Sequence, residues 1–252
     1  MDGKKVIPYV IRMSDGNVIK MEHHEHLPSA SALAKEYAAQ GHPDRYVVFA
    51  ESIDGSSERG VYMSLILRPS IFPSQAALLN AMSTAAMVSA LEDHTSKKMG
   101  IGWVSDVYCD GVKIGSVSLE GKLDNFTSYE YIIISFNAKL SQDDFPPTLA
   151  DMVKKVFEAE NTSVNMIIAR NILSRFFKFY QSLKTPQKFM SEYTQRFALR
   201  GKKVKYFRDE KWKAHKALGI DIRTGELIID NGKDPDIRVS SPGLIQNPKK
   251  IK

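Results

Sequence analysis

The sequence predicts an α+β protein: a mixed β-sheet covered by helices, followed by a small C-terminal β-barrel of the SH3 type. Three observations predict it. Apolar stretches of strand length interleave with stretches of helical periodicity over residues 1–183. After Lys184-Thr185-Pro186 the pattern changes to short strands separated by polar turns. The charge changes at the same place: residues 184–252 hold 17 Lys+Arg against 8 Asp+Glu, a net of +9, whereas the whole chain carries +6 and residues 1–183 therefore −3. These shifts assign 1–185 to the larger unit, 186–246 to the barrel and 247–252 to a basic tail.

Each element has a local reason. Residues 5–24 read as a β-hairpin, with VIPYVIRM and VIKMEH reversing at Ser14-Asp15-Gly16-Asn17. Ser29-Ala30-Ser31 leads into ALAKEYAAQ, where Leu33, Ala34, Tyr37 and Ala38 form one helical face. A serine ahead of such a face suits an N-cap, because its hydroxyl accepts from N–H groups that have no partner in the first turn. YVVFA (46–50) and VYMSLIL (61–67) are dense in apolar residues, as strands covered on both sides should be. From Pro73 to about Thr95, Leu78, Ala81, Met82, Ala85, Val88 and Leu91 recur at helical spacing. Three strands follow at 101–109, 112–121 and 129–137, with Asp110-Gly111 as a tight turn between the first two. The loop SQDDFPPTL opens a long helical region, 148–183, whose Ile167, Ile168, Ile172, Leu173, Phe176, Phe177 and Tyr180 bury one face. The barrel region reads as a short helix (187–198) and strands at 202–207, 213–222, 226–230 and 236–240, with Arg223-Thr224-Gly225 turning the middle pair. Residues from about Gln246 read as a loose tail.

Several functions are excluded. No apolar run reaches the length of a transmembrane helix, and the N-terminus lacks the apolar core of a signal peptide, so a cytoplasmic protein is expected. The single cysteine, Cys109, forbids an internal disulfide and reads as a small buried side chain in a strand. His23-His24-Glu25-His26 places His24 and His26 on one strand face, but with no second ligand cluster it reads as a polar strand end rather than a metal site. Asp143, Asp144 and Asp151 read as a solvated loop. Tyr206, Phe207 and Trp212 among lysines read as barrel core with surface charge, so nucleic acid is not an expected partner despite the +9 segment.

The stretch GWVSDVYCDGVKIGSVSLEG (102–121) resembles the biotin–protein ligase family. That family has a Lys-Trp-Pro-Asn-Asp-Leu strand, a short turn, and a Lys-(Leu/Ile)-Ala-Gly-Ile strand ending in Glu. Without a gap, Trp103, Asp106, Lys113 and Glu120 fall on the Trp, Asp, Lys and Glu, while Gly102 replaces the first lysine, Val104-Ser105 the Pro-Asn, and Ser116 the glycine. Gly219-Ile220-Asp221 and Gly225-Glu226-Leu227 resemble the family's barrel hallmark. Ser29-Ala30-Ser31 stands in place of Ser-Thr-Asn and Ser135-Phe136-Asn137 in place of Gly-Ile-Asn. The lipoate-attaching enzymes share the first unit's fold, but their Arg-Arg-Xaa-Ser-Gly-Gly-Gly segment is absent. The chain opens almost directly on this unit, so the winged-helix repressor domain of some relatives is not expected.

The resemblance implies a biotin/lipoate ligase-like fold and ATP-dependent formation of biotinyl-adenylate, with Mg²⁺, followed by transfer to a lysine of a carboxylase's biotin carboxyl carrier domain. Lys113 is the implied catalytic residue, holding carboxylate and phosphate together as a compact point charge. Read from the residues alone, it is equally an exposed lysine past a turn. The implied ligand-binding set is Ser29, Ser31, Asp54, Gly55, Arg59, Trp103, Asp106, Ser116 and Asn137, with no protein-held metal. The family's Gly-Arg-Gly-Arg-Xaa-Gly-Arg phosphate loop corresponds to residues 51–60, which are shorter, keep only Gly55, Arg59 and Gly60, and add Asp54 and Glu58. That erosion makes the alternative a non-catalytic module on the same scaffold, binding biotin, a related acyl adenylate or a carrier domain. The oligomeric state stays open, a homodimer included.

Overall fold

A computed structural model describes residues 7–12, 16, 18–56, 59–124, 127–140, 163–232, 235–248 and 250–251. The elements are β1 (Ile7–Arg12), β2 (Val18–His24), α1 (Ala30–Ala39), β3 (Tyr46–Ala50), β4 (Gly60–Leu67), α2 (Ala76–Glu92), β5 (Met99–Gly102), β6 (Asp106–Cys109), β7 (Val112–Asp124), β8 (Ser128–Lys139), α3 (Val164–Tyr180) and α4 (Gln187–Gln195). Then come β9 (Lys203–Arg208), β10 (Lys211–Ile220), β11 (Leu227–Ile229), β12 (Ile237–Val239) and β13 (Ile245–Gln246). The first eight strands form one mixed sheet in the order β1-β2-β3-β4-β8-β7-β6-β5, in which only β2 and β3 run parallel. The last five form a curled antiparallel sheet in the order β12-β11-β10-β9-β13, an SH3-like barrel.

Each face of the large sheet is covered by helices chosen by their sequence pattern. On one face, Ala30, Ala34 and Ala38 of α1 sit on Val48, Ala50, Tyr62, Ile66 and Ile133. Small alanines at helical spacing let the helix lie close to the strands. The N-cap is Ser29, whose Oγ accepts from Ala32 N at 3.2 Å. At the other end Arg68 donates to Ala38 O at 2.8 Å and His42 O at 2.9 Å, so a guanidinium meets carbonyls at the helix C-terminus. The opposite face carries α2 and α3. The expectation of one apolar face for α2 is exceeded: Leu79 and Ala81 to Leu91 are all buried, because α3 and α4 pack against its remaining sides. Gly60 and Gly115 flank β8, and a Cβ at either would stand 2.0 Å from a β8 carbonyl oxygen, of Ala138 and Asn137 respectively. Glycine is required there for the strands to close.

Three readings are corrected and a fourth is given its partners. Residues 101–109 are two strands joined at Trp103-Val104-Ser105, not one; no Gly or Pro marked the turn, which is fixed from afar by Trp103 Nε1 donating to Gly225 O at 2.8 Å and Tyr193 OH donating to Val104 O at 3.0 Å. Phe207 and Trp212 are not barrel core; they face each other across the β9–β10 hairpin on its outer side, ring centroids 5.2 Å apart. The metal reading set aside at His24 and His26 has a positive replacement: His24 bonds Glu22, and His26 bonds Ser52 and Asp54. The terminal residues are not loose: Ile251 N donates to Gly111 O at 2.7 Å, and Lys250 bridges Val112. The SQDDFPPTL loop, Asp143, Asp144, Asp151 and Glu58 lie outside the described residues.

Candidate functional site

The site begins with a register slip. Along β6 and β7, Asp106 pairs Ser116 and Val107 pairs Gly115, but Tyr108 pairs Lys113, so β7 carries one extra residue at Ile114. In a regular strand Lys113 and Ser116, three apart, would point to opposite faces. The bulge turns Lys113 onto the face of Ser116. Its Nζ lies 2.6 Å from Asp106 Oδ1. Ser116 in turn pairs Asn137 on β8, and Asn137 pairs Tyr62 on β4. One cross-strand row therefore holds Asp106, Ser116, Asn137 and Tyr62, on the face that α1 covers.

This row is the floor of a trough. Tyr62 is buried, and its hydroxyl lies 2.6 Å from Ser56 Oγ. Toward β7 the floor opens: Ser116 and Asn137 are partly exposed and Ser118 is exposed, beside the buried pair Ser64 and Ser135, whose hydroxyls are 2.9 Å apart. One wall is the N-terminal half of α1, with Ser29 and Ser31 hydroxyls 3.2 Å apart and Lys35 paired to Glu120 of β7. The other wall is the C-terminal segment. There Asn247 Nδ2 donates to Asp106 Oδ2 at 3.0 Å and to Trp103 O, and Tyr108 OH donates to Pro248 O. Burial raises the Tyr108 phenol well above its ordinary value, with the Asp106 charge adding to the effect, so it stays a donor.

The expected residues divide. Lys113, Asp106, Ser116 and Asn137 come together, and Ser29 and Ser31 lie at the start of α1, which covers the same sheet face. Gly55 takes a left-handed turn (φ 75°), and Asp54, two-thirds exposed, bonds His26 at 2.9 Å. Trp103 is buried in the core as a strut between sheet and barrel. Arg59 is drawn away: its Nη2 lies 2.5 Å from Glu51 Oε2, while Glu51 Oε1 lies 3.2 Å from His23 Nε2, whose ring stacks on Phe49 toward α2 and α3. Burial would raise the Glu51 pKa, but hydrogen bonds from His23, Ser163 and Arg59, with the Arg59 charge, outweigh it and lower it to about 2. Three cations of this region, Lys35, Lys113 and Arg59, are thus each matched by a carboxylate.

Sequence reasoning missed two residues. Lys139 follows Asn137 by two and shares its face; it is exposed and makes no ion pair among the described residues. The two-residue period of β8 was the available signal. Asn247 had none, because its role depends on where the chain end docks. Among the described residues no group of three His, Cys, Asp or Glu is placed to hold a metal, and no helix is long and apolar enough to cross a membrane.

Known proteins share this fold. Residues 51–137 match the model of the biotin/lipoate A/B protein ligase family. The bifunctional ligase/repressor BirA of Bacillus subtilis is 26% identical over 176 residues, covering 65% of this chain and 54% of that protein; the chain spans about half the length of the curated relatives it matches. The biotin protein ligase of Aquifex aeolicus in complex with biotin and ATP superposes with a TM-score of 0.67 at 16% identity, over 90% of this chain and 97% of that one. A biotin protein ligase-like protein of unknown function from Silicibacter gives 0.63 at 13% identity, over 88% and 94%. Sequence match and fold agree: residues 51–137 are similar to the biotin/lipoate A/B protein ligases, and the chain has the fold of the biotin protein ligases.

Proposed function

We propose that the trough binds biotin and activates its carboxylate with ATP and Mg²⁺, then passes the acyl group to a lysine of a biotin carboxyl carrier domain. The observation that carries this reading is the bulge in β7, which brings Lys113 to the face of Asp106, Ser116 and Asn137. In the first step a carboxylate oxygen attacks the α-phosphorus and pyrophosphate leaves. In the second a lysine amine attacks the acyl carbon, AMP leaves and a proton passes to water. Both approaches crowd anionic oxygens, and a fixed ammonium stabilises that charge more in the transition state than in the ground state. Asp106 keeps the Lys113 ammonium in place until substrate oxygens compete for it. Lys139 supplies a second positive charge on the same face, two residues along β8 from Asn137. The serine hydroxyls and Asn137 amide suit a small polar ring, and Mg²⁺ is held chiefly by the nucleotide's own phosphates.

The commitment of Arg59 to Glu51 removes one anion-clamping group from the nucleotide end. Loss of one such donor typically lowers the rate about 10²–10³-fold. The same charge matching favours a second reading, a module that binds biotin or its adenylate without efficient turnover. Incubation of the protein with biotin, ATP, Mg²⁺ and a purified carrier domain separates them. Biotin found on the carrier lysine by mass spectrometry supports the ligase. An unmodified carrier, with a biotin-dependent rise in melting temperature, supports the module.

A further inference from the structure

We infer that the C-terminal segment positions Lys113, acting through Asn247 and the carboxylate of Asp106. The inference rests on the reading of Lys113 as the group that meets the reacting anions. Asp106 has two oxygens with separate partners: Oδ1 takes Lys113 Nζ at 2.6 Å and Oδ2 takes Asn247 Nδ2 at 3.0 Å. The carboxylate is mostly buried, whereas the lysine is about two-fifths exposed, so Asp106 is the fixed member of the pair. What fixes it comes from 141 residues away in sequence. The amide of Asn247 also ties Trp103 O, at the turn between β5 and β6, so one side chain holds both the turn and the carboxylate.

Space for that amide exists because residue 102 is glycine. A Cβ on Gly102 would stand 2.8 Å from the Tyr108 ring, 3.2 Å from Asn247 Nδ2 and 3.2 Å from Asp106 Cβ. The missing side chain and the docked segment are complementary. The segment is held on both sides of Asn247: β13 pairs β9 through Ile245 and Gln246, Pro248 O accepts from Tyr108, and Ile251 N donates to Gly111 O. Among the described residues Asn247 Oδ1 is buried without a hydrogen-bond partner, a cost this arrangement tolerates to keep Nδ2 on its two acceptors. The chain end is a built part of the lysine's surroundings. Asn247 touches no reacting atom, so it is a positioning residue.

Lysine acylation by limiting acetic anhydride, read by mass spectrometry at each lysine, tests this without requiring turnover. Lys178, exposed on α3, is the internal reference. An ammonium held in an ion pair reacts more slowly than a free one. Asn247→Ala is expected to raise the Lys113/Lys178 ratio by roughly tenfold, the lower end of what one hydrogen bond to a charged group carries, and Asp106→Asn by at least as much. Gly102→Ala reaches the same end by displacing the amide and serves if Asn247→Ala does not fold. In pyrophosphate exchange Asn247→Ala and Gly102→Ala should lower kcat and leave the KM for biotin unchanged. A ratio unchanged in Asn247→Ala and Gly102→Ala while Asp106→Asn raises it overturns the inference, as does a ratio unchanged in all three. Should wild type show no exchange, the ligase reading fails by itself, and the labelling ratio still decides whether Asn247 positions Lys113.

Discussion

Replacing Glu51 by glutamine should produce opposite effects on stability and on nucleotide handling. In the folded chain its carboxyl titrates at about 2, against 4.5 for an unperturbed glutamate. A group whose folded pKa is depressed contributes stability fully present above its unfolded pKa and lost as the pH falls through the folded one. The window here is pH 4.5 down to 2. A displacement of that size corresponds to roughly 3 kcal/mol at neutral pH. Glu51 is almost fully buried, so solvent screens it little, although Arg59 reaches it from an exposed position. Glu51→Gln keeps the shape and one acceptor but removes the charge. Its melting temperature at pH 7 should fall by about 2–4 °C per kcal/mol lost, and the difference from wild type should shrink as both are titrated toward pH 2. The freed Arg59 should at the same time lower the KM for ATP. Urea denaturation at half-unit intervals from pH 7 to 2 gives the first result, and steady-state kinetics the second. A stability difference that stays constant across pH 4.5 to 2 would refute the account of the Glu51–His23–Arg59 cluster.

Gly115→Ala should destabilise by about 3 kcal/mol, seen as a lower urea midpoint, because its methyl would overlap the Asn137 carbonyl of β8. Trp103→Phe leaves Gly225 O without its buried donor and should cost about 1–3 kcal/mol, with a melting temperature lowered and the far-ultraviolet spectrum unchanged. Trp212→Ala should cost no more than about 1 kcal/mol, because the ring lies on the outer side of its hairpin; loss of the fold would contradict that placement.

The sequence carried the elements whose cause is local. Ser29 as an N-cap, the apolar strands 46–50 and 60–67, and the long hairpin of β7 and β8 follow from propensity and periodicity alone. Lys113, Asp106, Ser116 and Asn137 are singled out by resemblance to the ligase family rather than by propensity, and the structure brings them to one face of the sheet. The sequence did not carry features that depend on distant partners. The turn at Trp103-Val104-Ser105 has no turn residues and is held by Gly225 and Tyr193. Gly115, next to Ile114, was the available signal for the bulge, since an isolated glycine inside a strand pattern suggests one. Arg59 read as an anion clamp by resemblance to the family's phosphate loop, yet a buried glutamate eight residues earlier claims it. Phe207 and Trp212 read as barrel core because they are aromatic, but the hairpin is two-sided and they fell on the outer side. The chain end looked solvated because it is basic and short, and only its contacts with Gly111, Tyr108 and Asp106 reveal otherwise.

Biotin-dependent exchange of labelled pyrophosphate into ATP tests the central claim most directly, since it reports carboxylate activation without needing a carrier. Exchange by the wild-type protein that requires biotin and falls at least about 10²-fold in Lys113→Ala is the predicted result. Exchange that is equal in the two proteins would contradict the role given to Lys113.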